Sequence, residues 1–467
     1  MKDIIKFGTD GWRAIIAKEF TTTNVARVSK GLADWLNQKN KCNTVVIGHD
    51  CRFGGALFSE TAALILCTNG IKVLMAKGFV STPMVSLGVL QMKAQQGVVI
   101  TASHNPPSYN GYKLKGAHGG PSNPSDIAAV EALIPDEIEL PTKKLSDFEK
   151  EGLFEWIDLE QMYIDYLQTK FDFEKLNSSK YKMAYDAMYG AGQNVVRRLM
   201  PSAVLLHCEH NPSFMGTPPE PLYKNTKELS ELLKNTPELK LGLVTDGDAD
   251  RIGLYDEEGN FVDAHHIILL LVHYLSQYKK MSGKVVIAFS ATDRIKRMSE
   301  QYGLPVEVTP IGFKYISEKI VEEDVLVGGE ESGGIAVKGH IPERDGIYDG
   351  LVLLEFMVET GKSLKELIQE VYQVVGSFNY QRDDLTLAND LKETIINNAQ
   401  NDLYNAGFGK YLSNKVEKID GVKYHLENGG WVMLRASGTE PLLRIYAEGN
   451  SEEETFDILK SVKETIL

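Results

Sequence analysis

Thr44-Val-Val-Ile-Gly-His-Asp-Cys-Arg52 runs from a block of apolar, β-branched residues into a polar, turn-prone end, and the segment after it has helical spacing. The same passage recurs at Lys182-Met-Ala-Tyr-Asp-Ala-Met-Tyr-Gly190 and at Lys284-Val-Val-Ile-Ala-Phe-Ser-Ala-Thr-Asp-Arg294. Short apolar runs alternating with helical periods are the pattern of buried strands covered by helices, so the sequence predicts α/β domains with mixed, largely parallel sheets. The three copies are unequally spaced, which argues against a solenoid and fits three related versions of one α/β unit.

The 467 residues, 43% hydrophobic, suffice for three to four domains of about 100–150 residues each. The charged stretch from Pro135 to Gly152 has few apolar residues and reads as a linker. A second break falls just after Arg251, with the hairpin-like turn Asp256-Glu257-Glu258-Gly259-Asn260 opening a third unit, and Phe378 to Asp384 leads into a last one. The tail has a different rhythm: a helix over 389–403, strands around Tyr424 and over 431–434 and 442–448, then a helix over 452–466. It reads as an α+β domain. The predicted domains are 1–140, 150–253, 254–372 and 378–467.

A formal charge of −14 makes nucleic acid and anionic membranes unfavourable partners. An anionic small molecule can still bind where the scarce cations gather. Cys42, Cys51, Cys67 and Cys208 form no C-x-x-C pair and no metal spacing, which suits reduced thiols in a cytosol. No apolar signal precedes the turn at Gly8-Thr9-Asp10-Gly11, and the apolar run Ile267 to Val272 is too short to span a bilayer. The expectation is a cytoplasmic, soluble chain.

Four loops carry chemistry. Thr101-Ala-Ser-His-Asn-Pro-Pro-Ser-Tyr-Asn-Gly-Tyr-Lys113 follows the apolar strand Gly97 to Ile100. Its two prolines cannot continue that strand, so Ser103 is placed at a strand end as a candidate covalent carrier. Asp246-Gly-Asp-Ala-Asp-Arg251 follows the apolar run Leu239 to Thr245, and its three carboxylates at alternate positions suit a hard cation such as Mg²⁺. An EF-hand is disfavoured, because Arg251 occupies the position that needs glycine. Gly328-Gly-Glu-Glu-Ser-Gly-Gly334, after a strand predicted over 324–327, offers Glu330 and Ser332 to sugar hydroxyls. Arg435-Ala-Ser-Gly-Thr-Glu-Pro441 offers an arginine, two hydroxyls and backbone N–H groups to a phosphate, with Arg444 close behind.

These loops, in this order, together with Phe7-Gly-Thr-Asp-Gly-Trp-Arg13, closely resemble the α-D-phosphohexomutase superfamily. The resemblance implies three related α/β domains and a C-terminal α+β domain around a central cleft. It implies that Ser103 is a phosphoserine, and that Asp246, Asp248 and Asp250 hold Mg²⁺ together with Ser103. It makes Lys113 the first candidate for proton transfer, with His104 in support. Arg13, Arg251 and Lys314 would face the substrate, Glu330 and Ser332 would grip the sugar, and Arg435, Ser437, Gly438, Thr439 and Arg444 would hold the non-reacting phosphate. The implied reaction interconverts hexose 1-phosphate and 6-phosphate through a hexose 1,6-bisphosphate, which also acts as activator, in a monomer or homodimer. Many members carry histidine where this chain has Gly334, and glucose and mannose phosphates are favoured over glucosamine phosphate. A sugar-phosphate phosphatase and a non-catalytic sensor are the competing classes.

Overall fold

The computed structural model describes residues 5–8, 10–40, 42–436 and 442–467. The chain divides into two compact units, Met1–Val286 with Gly312–Ile368, and Ile287–Ile311 with Gln369–Leu467.

In the first unit the strand Thr44–His49 lies inside a six-stranded mixed sheet. It runs parallel to Gln96–Ile100 on one side and to Lys72–Phe79 on the other, with Val46 facing Gly97 and Leu74. Val45, Val46, Ile47, Val98, Val99 and Ile100 are wholly excluded from solvent, which is why these segments read as unbroken apolar runs. The helices Thr22–Lys39, Gly55–Thr68 and Thr82–Gln91 accompany the sheet. The Thr21 and Ser81 side chains cap two of them by accepting from the N–H groups of Asn24 and Met84, each cap contributing about 1 kcal/mol. Gln96–Ile100 pairs antiparallel with Tyr109–Gly116, Ile100 opposite Tyr112, so residues 101–108 form the loop at one end of these two strands. The stretch predicted as a linker is more ordered than its composition suggests. It contains the helix Leu145–Lys150 with Phe148 buried, and the strand Phe154–Ile157 that follows joins this first sheet beside Lys72–Phe79.

A second sheet, of five strands, has the order Phe261–Val262, Ile252–Tyr255, Leu239–Thr245, Lys182–Asp186, Val204–Leu206. The turn at Asp256–Asn260 is a hairpin, as its composition suggested, and it joins two strands of this sheet, Leu254 pairing with Val262. The apolar run Ile267 to Val272 lies in the helix Ala264–His273, every residue of which is buried. Val325–Gly329 pairs antiparallel with Ile335–Val337. That strand runs two glycines further than predicted and brings Glu330 to its end. No helix among the described residues is long and apolar enough to cross a membrane.

The second unit holds a six-stranded antiparallel sheet in the order Asn379–Thr386, Leu442–Gly449, Trp431–Ala436, Val422–Leu426, Tyr411–Glu417, Gly407–Phe408. The helices Asn389–Gln400 and Glu452–Ile466 pack their apolar faces, including Ile395, Ile458 and Val462, into one core with Val432, Leu434 and Ile445. The first of them ends three residues before the predicted Leu403. The class is the predicted one: mixed α/β sheets followed by an antiparallel α+β domain.

Candidate active site

Ser103 is buried and adopts φ 51°, a left-handed conformation that costs a side-chain-bearing residue about 1–2 kcal/mol. The loop around it compensates. Its N–H donates to Thr101 Oγ1 at 2.9 Å, and Thr101 in turn donates to Asp50 Oδ2 at 2.5 Å. Ser103 Oγ lies 2.6 Å from Asp246 Oδ2 and 3.2 Å from His104 Nδ1. The loop from the second sheet comes this close because Gly247 has no side chain, as a Cβ there would lie 2.6 Å from the Ser103 carbonyl oxygen.

Asp246, Asp248 and Asp250 are fully buried, and one oxygen from each falls within 4.8 Å of the others. Asp246 Oδ1 accepts from the N–H groups of Asp250 and Arg251 at 3.0 and 3.1 Å, which folds the loop back on itself. Asp248 Oδ2 accepts from Thr82 Oγ1 at 2.5 Å and from Lys113 Nζ at 2.8 Å. Asp250 Oδ2 accepts from Lys113 at 3.1 Å and pairs with Arg344 at 2.6 Å. The second oxygens, Oδ1 of Asp248 and Oδ1 of Asp250, are buried without a hydrogen-bond partner. Burial, then Asp248 and Asp250, push Asp246 well above the usual carboxylate range. Hard, buried, half-satisfied oxygens with mutually repelling charge are the donor set a divalent cation such as Mg²⁺ satisfies.

Lys113 is expected from the resemblance to move protons, but its ammonium is engaged by Asp10 at 2.8 Å as well as by Asp248 and Asp250. Burial lowers its pKa, and the three carboxylates outweigh that and raise it above the normal lysine range. Its ammonium is held in place among them. His104 is the opposite case. Burial first, then Arg251, Arg13, Lys113 and Arg52, hold its pKa far below the usual imidazole value, so it is neutral at neutral pH. Arg13 donates to Asn105 Oδ1 at 2.7 Å and lies 3.6 Å from Asp10. Arg251 lies 3.7 Å from Glu220.

Glu330, 5% exposed, accepts from the Gly312 N–H at 2.9 Å, and burial pushes its carboxyl up to about 7. Gly333 hands its carbonyl to Ile252 N–H at 3.0 Å, which seats this loop directly after the aspartate loop. Ser332 is half-buried, as is Lys314 in the first turn of the helix Phe313–Glu322. The first unit thus brings Ser103, His104, Lys113, Arg13 and the aspartate trio together.

In the second unit Arg435 and Arg444 face each other across paired strands. Arg435 Nε donates to Asp420 Oδ1 at 2.9 Å, and Asp420 Oδ2 also accepts from Ile311 N–H at 3.0 Å. Ser437, Gly438 and Thr439 lie outside the described residues.

Sequence reasoning missed Asp50, Arg52, Asp10 and Arg344. Arg52 is 3% exposed and donates to four carbonyls of the serine loop: Pro106 at 2.9 Å, Tyr109 at 3.1 Å, Ser103 at 2.5 Å and Asn105 at 2.6 Å. Asp50 lies 3.3 Å behind it, and the Phe214 ring lies 5.0 Å from the guanidinium. The available signal was the polar end of the first repeat, His49-Asp-Cys-Arg52, in the place where the second sheet's neighbouring strand carries its aspartates.

Four family models match the chain consecutively: phosphoglucomutase/phosphomannomutase alpha/beta/alpha domain I over residues 5–140, domain II over 161–259, domain III over 263–375 and the C-terminal domain over 389–465. The chain belongs to the phosphoglucomutase/phosphomannomutase family. A Methanosphaera stadtmanae protein named "Probable phosphoglucosamine mutase" is 31% identical over 467 residues, covering 98% of each chain. The phosphoglucomutase/phosphomannomutase of Thermococcus kodakarensis is 28% identical over 97% of this chain and 96% of that protein. The crystal structure of a Thermus thermophilus protein named "putative phosphomannomutase" superposes with a TM-score of 0.88 at 33% identity, covering 100% of both chains.

Proposed function

We propose that this chain is a Mg²⁺-dependent mutase that interconverts the 1-phosphate and 6-phosphate of glucose or mannose, with Ser103 carrying the phosphoryl group. The observation that carries the reading is Ser103 Oγ at 2.6 Å from Asp246, beside two aspartates that each keep one buried oxygen unpaired. When bound, the cation would withdraw charge from the transferring phosphoryl group. Each half-reaction moves a phosphoryl group one way and one proton the other way between Ser103 Oγ and a sugar oxygen. In the first, the sugar oxygen bonds to phosphorus as the bond to Ser103 Oγ breaks. The bisphosphate then turns round, and Ser103 Oγ takes its other phosphoryl group. His104 Nδ1, 3.2 Å from Ser103 Oγ, is the supporting group for proton movement at the serine. Lys113 and Arg13 supply fixed positive charge, while Glu330, Ser332 and Lys314 hold the sugar. Arg251 assists at the reacting end, and Arg435, Ser437, Gly438, Thr439 and Arg444 hold the resting phosphate.

The names of the relatives favour a second reading for the sugar, glucosamine phosphate, since the M. stadtmanae protein carries that name. A coupled assay across glucose-, mannose- and glucosamine-1-phosphate, with and without a hexose 1,6-bisphosphate, separates the two. Turnover confined to glucosamine 1-phosphate would overturn the choice of hexose, and release of inorganic phosphate in place of 6-phosphate would overturn the mutase. Chelation should abolish turnover and Mg²⁺ should restore it, with full activity after exhaustive chelation rejecting the cation site.

Glu330 gives a pH prediction with a definite sign. Its carboxyl holds a proton up to about 7, so it becomes a full acceptor for sugar hydroxyls only above that pH, and KM should fall as pH rises through 7. Between its unfolded value near 4.5 and 7 the folded state binds more protons than the unfolded one, so this group lowers stability as pH rises across that window. Glu330→Gln should flatten both trends. An unchanged KM profile in that variant would remove Glu330 from the sugar site.

A further inference from the structure

Gly334 ends the sugar loop with ordinary backbone angles, yet a Cβ on it would lie 2.4 Å from Arg344 Cδ and 3.2 Å from its Cγ. The missing side chain is therefore replaced in space by the stem of Arg344. That side chain is 4% exposed, and its guanidinium carbon lies 5.2 Å from the centre of the Phe313 ring, next to Lys314. Its Nη2 meets Asp10 Oδ2 and Asp250 Oδ2, each at 2.6 Å, while Glu343 lies 3.7 Å from Nε. One residue thus threads past the sugar loop to the third aspartate of the cation site and to the N-terminal signature.

We propose that Arg344 is a resident countercharge of the cation site, a positioning residue that shares Asp250 with the bound cation and ties the sugar loop to the aspartate loop. The inference rests on the cation site of the proposed function. Asp10, Asp246, Asp248 and Asp250 crowd their carboxylates around two buried cations, Lys113 and Arg344, with Arg13 3.6 Å from Asp10 and Glu343 3.7 Å from Arg344. Both cations bind the Oδ2 edges, so the Oδ1 edges of Asp248 and Asp250 are the ones turned free. With Arg344 removed, Lys113 still holds Asp250 Oδ2 at 3.1 Å, so the carboxylate keeps its orientation while a positive charge beside the cation disappears. Cation affinity then rises, because like charges in a buried site repel strongly. The link between the sugar loop and Asp250 is lost at the same time, so turnover falls.

Opposite signs for binding and turnover are what a purely structural residue would not produce, since damage to the site weakens both. The test is calorimetric titration of Mg²⁺ into the full-length chain, paired with kcat and KM for glucose 1-phosphate. Arg344→Met should bind Mg²⁺ about tenfold more tightly and lose about tenfold or more in kcat. Gly334→Ala, whose Cβ displaces the arginine stem, should shift both quantities in the same directions, and the double variant should match Arg344→Met rather than add to it. Arg344→Lys should keep the wild-type affinity within about twofold. Weaker Mg²⁺ binding in Arg344→Met, or additive effects in the double variant, would overturn the countercharge role. If Arg344→Met does not fold, Gly334→Ala decides alone: unchanged Mg²⁺ affinity in that variant rejects the proposal. Wild-type protein that binds no Mg²⁺ overturns the cation site and this inference together, whereas wild-type binding that Asp250→Asn abolishes and Arg344→Met leaves unchanged overturns the inference only.

Discussion

Ser103→Ala should reduce hexose phosphate interconversion by about 10⁴-fold or more, to the background of the assay. The substitution removes one oxygen and leaves the loop intact, because the bonds that shape it come from the Thr101 hydroxyl and the Arg52 guanidinium and do not use Ser103 Oγ. Stability should therefore stay close to wild type, and the loss should fall on kcat. Supplied hexose 1,6-bisphosphate should not rescue it, since the oxygen that accepts the phosphoryl group is gone. Mass spectrometry of the wild-type chain should find a phosphoryl group on Ser103 after incubation with the bisphosphate and none on the variant. Normal turnover by Ser103→Ala would sink the carrier role outright.

Arg52→Lys carries the second large effect, although it retains the charge. The guanidinium reaches four carbonyls through a planar fork, while an ammonium on a flexible stem has three donors at one point and cannot span them. Each buried carbonyl left without a donor costs about 1–3 kcal/mol. With a left-handed Ser103 at the centre of the loop, relaxation by even about 1 Å should lower kcat by about 10²-fold. Arg52 donates to the serine loop rather than reaching toward the sugar loop, so KM for the sugar phosphate should change by only a few-fold. Arg52→Ala should also lose stability, because Asp50 would then be buried without its cation. A Lys variant with wild-type kcat would show that the loop holds its shape without the fork.

Elements with a strong period were legible. Thr44–His49, Lys182–Asp186 and Lys284–Ala288 are strands because runs of apolar and β-branched residues can be buried on both faces of a sheet. Leu239–Thr245 and Glu452–Ile466 end where their patterns end. The errors lie where local composition and tertiary packing disagree. The charged segment before Gly152 still contributes Phe148 to a core with Leu145 packed against it, and two apolar residues in a six-residue helix are too weak a signal to mark it. The turn at Asp256, by contrast, is the hairpin its composition suggested, Leu254 pairing with Val262.

The sequence by itself determined which groups the loops present: a serine after a buried strand, three alternating carboxylates, an acidic glycine-rich loop and, in the second unit, an arginine followed in sequence by a glycine. Those are local facts, since strand ends and turns are set by neighbours along the chain. Only the tertiary structure decided what each group does. It set three carboxylates around the Lys113 ammonium, including Asp248 and Asp250 more than a hundred positions away. It made Arg52 the clamp of the serine loop and placed Arg344 in the space of a missing Gly334 side chain. Charge pairing depends on distances through space, which sheet register and core packing fix, and no period along the chain records them.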